Sequence, residues 1–463
     1  MKHRRRSSKP ELPRKAALVK PSPLAQKPQL VEIDKPIYGG AFLARHEGKA
    51  IFVPLALPGE QVLIRIVDDK KGYATAEIEE IVTCAPERIE AQCAHFGACG
   101  GCNYQHAPYE MQLQFKLEIL RETLERGGVR APAEISVLAG EPWGYRNRIR
   151  LAFDAKGNPG YRGRRSHAII PIHECPIAAP LLVDAGLKFA EVAREVAKVI
   201  GPTEVSLFCN GDESALIASV FSTSGSKNGF EDFGRALKDQ VPALKGMELV
   251  IEDREGQPQR TAAQWGESAI AYRAAGFDYR AEHGAFFQVN RWLVDELVDC
   301  VTQGRGGRLV WDLYAGVGLF SRKLAAGFER VVAVESATEA TAALEHNLAG
   351  INATAVKAST LAFLQRSKQG SRPDLIVVDP PRTGLGAETT ALLAQVGAPE
   401  IVYVSCDPAT LARDLRTLIE AGYEIGSVTL ADLFPQTFHL ETVVHLIRPS
   451  ARAYTLPSGS RES

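Results

Sequence analysis

Three stretches in the last third of the chain carry side chains able to do covalent chemistry. "DLIVVDPPRTG" and "EIVYVSCDPATLARDL" each run an apolar segment into polar residues, the pattern of a buried strand ending in Asp379 or in Cys406. Open α/β sheets bind ligands outside the carboxyl ends of their strands, so Asp379 and Cys406 should face one ligand from adjacent strands. Cys406 also precedes a predicted helix, "PATLARDL", whose positive N-terminal end would favour a thiolate. Nearer the C-terminus, "ADLFPQTFHLETVVHLIRP" offers His439 and Glu441 as acid–base groups.

Upstream, "GGRLVWDLYAGVGLFSRKLA" reads as a strand, Asp312, then a Gly316-x-Gly318 turn opening a helix, and "RVVAVES" as a second strand ending in Glu335. Glycines let the backbone approach a nucleotide cofactor, and the acid accepts from ribose hydroxyls. Ser321 stands where the dinucleotide fingerprint has its third glycine. That departure argues against NAD and is compatible with S-adenosylmethionine, which has no pyrophosphate to cradle.

A second chemical cluster is Cys93, Cys99 and Cys102 in "CAHFGACGGCNYQH", with Cys175 in "IIPIHECPIAAP" as the best further ligand. In a reducing compartment such thiols indicate a metal rather than disulfides. Three close ligands and one distant fit a [4Fe-4S] cluster better than the paired spacing of zinc sites, while His95, His106 and His173 keep a mixed zinc site open. Cys84, Cys209 and Cys300 are isolated, and ordinary burial is expected for each.

These groups need elements to position them. The 463 residues are 45% hydrophobic and 24% charged, ordinary for a globular protein of two or three domains. The basic start lacks the apolar run of a signal peptide and no stretch is long enough to span a membrane, so a cytoplasmic location is expected. Residues 1–26 and 451–463 are expected to be disordered tails, the first of them basic. Residues 27–86, with turns at Gly39-Gly40 and Pro58-Gly59, predict an OB-like barrel of about five strands. Tyr38, Phe42, Arg45 and Phe52 are its candidate RNA contacts, although burial of Phe42 and Phe52 is the stronger expectation. Residues 87–282 form a mainly β central region in which a helix over 107–127 packs on the catalytic domain, and residues 283–450 form that Rossmann-like α/β domain. In the central region, Arg146, Arg148 and Arg150 would share one strand face as a phosphate-contacting ridge, with a solvated edge strand as the plainer alternative. Net charge is only −1, so any RNA binding rests on local basic ridges.

The set "FFQVN", "DLYAGVGLF", "DPPR", "SCDP" and "FPQTFHLETV", preceded by Cys-x5-Cys-Gly-Gly-Cys and the barrel, resembles the RNA uracil-5-methyltransferase family. The likeness is particularly to its iron–sulfur members that carry an N-terminal TRAM domain and act on 23S ribosomal RNA. It implies that Gln288, Tyr314, Glu335 and Asp379 hold S-adenosylmethionine, that Cys406 is the nucleophile and Glu441 the proton acceptor, and that Cys93, Cys99, Cys102 and Cys175 hold a [4Fe-4S] cluster. One cofactor-turn position departs, Leu319, where some members carry asparagine. The chemistry asks for the same equipment: C5 of uracil becomes nucleophilic once a thiolate adds at C6, and a base must later remove the C5 proton. The expected partner is RNA, ribosomal first and transfer RNA as the alternative, with no DNA or membrane and a monomeric protein. The rivals are an amino-group methyltransferase, which needs no nucleophilic cysteine, and a non-catalytic RNA-binding protein, which needs no cofactor turn.

Overall fold

The computed structural model describes residues 27–449 apart from 197–199, 225, 252–259 and 368–371. Both expected tails lie outside the described residues.

Strands β1 (Gln29–Ile37), β2 (Ala41–His46), β3 (Lys49–Pro54), β4 (Gln61–Asp69) and β5 (Tyr73–Thr83) close into a barrel in the order β1-β2-β3-β5-β4. Strict alternation builds it: Val62, Ile64 and Ile66 of β4 point inward while their neighbours face out. Phe42 is fully buried in this core, as expected.

Helix α1 (Tyr109–Arg126) and strand β6 (Ser136–Leu138) follow. The central unit is β7 (Arg148–Phe153), β8 (Pro159–Arg162), β9 (Ile169–Pro171), α2 (Pro180–Val196), β10 (Pro202–Cys209), β11 (Leu216–Ser222), α3 (Phe230–Gln240), β12 (Leu244–Ile251) and β13 (Arg260–Gly266). Among the described residues its sheet runs β13-β12-β11-β10-β7-β8-β9, and the hairpin β14 (Ala269–Ala274) with β15 (Phe277–Glu282) leads out of it. Strand β7 pairs on both sides, with β10 and β8, so the arginine ridge is not on a solvated edge strand.

The remaining elements are α4 (Val294–Thr302), β16 (Gly307–Leu313), α5 (Leu319–Leu324), β17 (Phe328–Glu335), α6 (Thr338–Asn347), β18 (Ala353–Lys357), α7 (Thr360–Ser367), β19 (Leu375–Val378), α8 (Ala387–Val396), β20 (Glu400–Ser405), α9 (Pro408–Glu420), β21 (Glu424–Ala431) and β22 (Glu441–Ile447). Their sheet runs β18-β17-β16-β19-β20-β22-β21-β6. Strands β16 to β20 are parallel neighbours, and β22 alone of the described strands pairs antiparallel with β20. Helices cover both faces, so every residue of β19 is buried and its sequence is unbroken Leu-Ile-Val-Val. Two early elements belong to this late domain. Helix α1 packs on α9 and shares a core with it, and β6 pairs parallel with the far edge of β21.

Candidate active site

The order of the sheet reverses between β16 and β19, and it is at the carboxyl ends of such a switch point that open α/β sheets have their ligand crevice. After β16 the chain turns sharply: Tyr314 (φ 65°), Gly316 (φ 54°) and Gly318 (φ 88°) are all left-handed. A side chain at Gly318 would strike Leu344 Cδ1 at 2.7 Å, whereas at Gly316 it would project into open space, the space a cofactor needs. Glu335 at the end of β17 is clasped by backbone: Gly316 N–H donates to Oε2 (3.0 Å), and Ser336 and Ala337 N–H donate to Oε1 (2.6 and 2.7 Å). Ser321, the missing third glycine, donates its hydroxyl to buried Asp312. Asp379 follows β19, and Gln288 is buried with its carbonyl accepting from Asn147 Nδ2 at 2.8 Å. Tyr314 is half-buried beside Thr360. Burial pushes the carboxyls of Asp312 and Asp379 up to about 7, each also meeting a neighbouring acid. An open glycine turn, a fixed acid and a pair of reluctant carboxyls fit S-adenosylmethionine, a cation with ribose hydroxyls.

Cys406 stands half-buried one residue beyond β20. The register of β20 with β22 sets Ser405 opposite Thr442, which brings Glu441 beside Cys406. The surroundings of the thiol oppose the expected thiolate. Burial first, then Glu441 and Asp379, push the thiol up to about 12, with Arg382 pulling the other way. The helix end that was to favour the thiolate is already occupied: Asp407 caps α9, accepting from Ala409 and Thr410 N–H at 3.0 and 2.9 Å. Glu441 is buried and raised well above the carboxylate range by burial and by Asp379, opposed by Arg382. His439 lies 3.2 Å from Arg382 Nη2, and burial, Arg382, Arg146 and Lys116 lower it to about 4. It is a neutral imidazole and a poor base at neutral pH.

Several residues that the sequence reading did not place here complete the site. Tyr38 reaches over from the barrel, donates to Asp407 Oδ2 (3.2 Å) and packs edge-on against Phe438. The loop before Glu441 is pinned by residues that lie far earlier in the chain. Asn103 and Tyr104 N–H donate to the carbonyl of Gln436 (2.8 and 3.1 Å), Gln112 bonds the Gln436 side chain, and fully buried Lys116 pairs with Asp432. A lysine on the apolar face of α1 was the available signal, because a fully buried charge needs a partner.

Cys93, Cys99, Cys102 and Cys175 line one cavity of about 80 Å³ together with His95 and Glu174. Yet among the described residues no group of three or more His, Cys, Asp or Glu is disposed to hold a metal ion, so the expected metal centre is not evident. The cavity and its four soft donors nevertheless fit an iron–sulfur cluster in kind. His106 instead bonds the Ala56 carbonyl (2.9 Å), and His95 and His173 stack edge-on at 4.4 Å. Of the isolated cysteines Cys209 is buried, Cys300 half-buried and Cys84 exposed at the barrel's end, against expectation. Arg146, Arg148 and Arg150 do line one cavity, of about 660 Å³, but with Glu248 and Glu339 among them. Arg148 and Arg150 lie over Phe208 and Phe221, and Arg150 pairs with Glu204. On the barrel Phe52 is half-buried and stacks on exposed Tyr73, while Arg45 is exposed.

Among the described residues no helix is long and apolar enough to cross a membrane. The sequence profile of the tRNA (Uracil-5-)-methyltransferase family matches residues 267–449, and that of the TRAM domain matches residues 27–78. The chain is 34% identical to an RNA methyltransferase of Streptomyces avermitilis, over 91% of this chain and 98% of the relative. It is 32% identical to the 23S rRNA (uracil(1939)-C(5))-methyltransferase of Shewanella denitrificans, over 87% of this chain and 92% of the relative. The Pyrococcus abyssi tRNA (uracil-54, C5)-methyltransferase, solved with S-adenosyl-L-homocysteine, is similar over 90% of this chain and 100% of its own, at 25% identity and a TM-score of 0.73. With its barrel, its cofactor crevice and its cysteine at the sheet's carboxyl edge, the chain belongs to the S-adenosylmethionine-dependent RNA uracil-5-methyltransferases that carry an N-terminal TRAM domain.

Proposed function

We propose that the protein methylates C5 of a uridine in transfer RNA, with Cys406 as nucleophile and Glu441 as proton acceptor. The observation that carries this is the pairing of β20 with β22, which sets a thiol and a buried carboxyl side by side at the mouth of the cofactor crevice. The Cys406 thiol gives its proton to solvent as its sulfur bonds C6 of the uracil, and the electrons of the C5–C6 double bond move into an enolate with its nucleophilic carbon at C5. S-adenosylmethionine, held by Gln288, Tyr314, Glu335 and Asp379, supplies the methyl group. Glu441 then takes the C5 proton, the C5–C6 double bond re-forms and the C6–S bond breaks. The similarity to the Pyrococcus abyssi enzyme spans nearly the whole chain and favours transfer RNA over the ribosomal RNA expected from sequence. Ribosomal RNA is the second reading, favoured by curated relatives such as the Shewanella denitrificans enzyme. The four cysteines that share a cavity would hold a [4Fe-4S] cluster tying the 93–102 loop to the central unit, in a protein that acts as a cytoplasmic monomer.

The roles separate in one experiment. With unmodified RNA and cofactor labelled in its methyl group, Glu441→Gln should accumulate a labelled covalent protein–RNA complex on a denaturing gel, and Cys406→Ala should form none. Normal turnover by Glu441→Gln, with trapping by His439→Ala instead, would move the base to His439. Mapping 5-methyluridine in the transfer and 23S ribosomal RNA of a deletion strain and its parent decides the RNA class.

A further inference from the structure

Between the barrel and the central unit runs a groove of about 460 Å³ that none of the catalytic roles uses. Its walls are the glycine pairs 39–40 and 100–101 with Asn103, facing Arg162, Arg164 and Arg165 at the turn after β8. Among the described residues no carboxylate lines it, in contrast with the larger arginine cavity, which includes Glu248 and Glu339. Arg162 is exposed and shares one Nη2–H with Glu204 at 3.0 Å. Arg164 donates to the Cys102 carbonyl at 3.5 Å, and its buried Nε has no partner. Arg165 holds a left-handed backbone (φ 52°), unusual for a side chain of its size, and is exposed.

Two short links tie the walls of the groove to the loops of the active site. Gly39 directly follows Tyr38, whose hydroxyl touches Asp407 next to Cys406. Asn103 bonds both the Gln436 carbonyl and the Phe438 N–H (2.8 and 3.4 Å), on the loop that leads to His439 and Glu441. A ligand lying here is therefore held by the same loops that frame the nucleophile. Three guanidinium groups facing side-chain-free backbone suit a polyanion with closely spaced charges rather than a compact apolar molecule.

We propose that this groove is a phosphate-binding site for the RNA backbone flanking the uridine that enters the active site. The proposal rests on the RNA-methylating reading above. Arg162, Arg164 and Arg165 neutralise backbone phosphates on the approach to Cys406 and so hold the strand while its uridine leaves the base stack. Flipping a base needs its flanking backbone held, and this groove would hold it.

The test uses the full chain and a fluorescently labelled, unmodified transfer RNA transcript, with binding followed by anisotropy across a salt series. Each lost phosphate contact lowers the slope of log K against log salt by about 0.7 to 0.9. Arg162→Gln combined with Arg165→Gln should therefore flatten the slope by about 1.4 to 1.8. Arg162→Lys with Arg165→Lys should restore most of it. Unchanged S-adenosylhomocysteine binding and melting temperature would show that the variants are folded. A slope equal to wild type in the Gln variant overturns the proposal, as does competition by inorganic phosphate at this groove without any change in RNA slope. If the slope falls but the wild-type protein methylates no RNA, the groove stands and the methylation reading fails.

Discussion

The crevice beside Cys406 and the groove beneath the barrel carry opposite charge in opposite settings. Asp312 and Glu441 are buried and Asp379 partly so, and desolvation leaves all three reluctant to ionise. Arg162 and Arg165 stand at the surface, where screening by salt governs what they are worth. One region should thus answer to pH and hardly to salt, the other to salt and hardly to pH. A cationic cofactor entering the crevice offsets the mutual repulsion of its acids and of the thiol they surround.

The largest expected effect tests the crevice through its thiol. With Cys406 pushed up to about 12 against an ordinary ~8.5, its thiolate at pH 8 is scarcer by about 10³. In cofactor-free protein, peptide-resolved mass spectrometry should find iodoacetamide labelling Cys406 about a thousandfold more slowly than exposed Cys84, with a rate that rises tenfold per pH unit until it levels off near pH 12. S-adenosylmethionine should speed it. Equal labelling of the two cysteines would break the contrast between the regions.

The next effect is on stability. Asp312 and Asp379 have folded-state values of about 7, above the unfolded 3.8, so the folded state binds protons that the unfolded state releases. Their stabilising contribution is full below the unfolded value and is lost as pH rises toward about 7. Denaturant unfolding should show cofactor-free protein losing on the order of 2 kcal/mol per group between pH 5.5 and 8. Asp379→Asn should flatten that curve. A stability that rises over the same range would refute the account.

The smallest expected effect concerns the seam between the two regions. Tyr38→Phe removes one hydrogen bond to Asp407, and turnover should fall by a factor matching about 0.5 to 1.5 kcal/mol, with cofactor affinity unchanged. A loss confined to KM for RNA would show that Tyr38 serves the groove alone.

What the sequence made legible follows locality. Turn glycines and alternating apolar residues announced the barrel, and "LYAGVG" and the Leu-Ile-Val-Val strand announced the cofactor sheet, because each pattern depends on near neighbours. The region read as short strands and loops also contains α2, whose buried Leu182, Ala185, Phe189 and Val192 carry a helical period that the reading passed over. The surroundings of the Cys406 thiol were out of reach for a different reason. Its helix was read alone, whereas the acids that oppose a thiolate, Asp379 after β19 and Glu441 on β22, come from elements distant in the chain. Tyr38 and Lys116 act on partners more than three hundred positions away, Asp407 and Asp432, which no local pattern can reveal.

The attachment of α1 and β6 to the catalytic sheet has a consequence in time. Both are synthesised before the central unit, while their partners, α9 for α1 and β21 for β6, come only after nearly all the rest. At roughly 5–20 residues per second, the ribosome leaves them waiting on the order of 15 to 60 seconds for their partners. Through that interval the apolar stripe of Ile119, Leu120 and Leu124 has no sheet to cover it, although the barrel, complete by Thr83, can already shelter Phe115 on the same helix. The barrel thereby becomes a temporary host for a segment of another domain, and nascent chains lacking it should depend more heavily on chaperones than their finished stability would suggest.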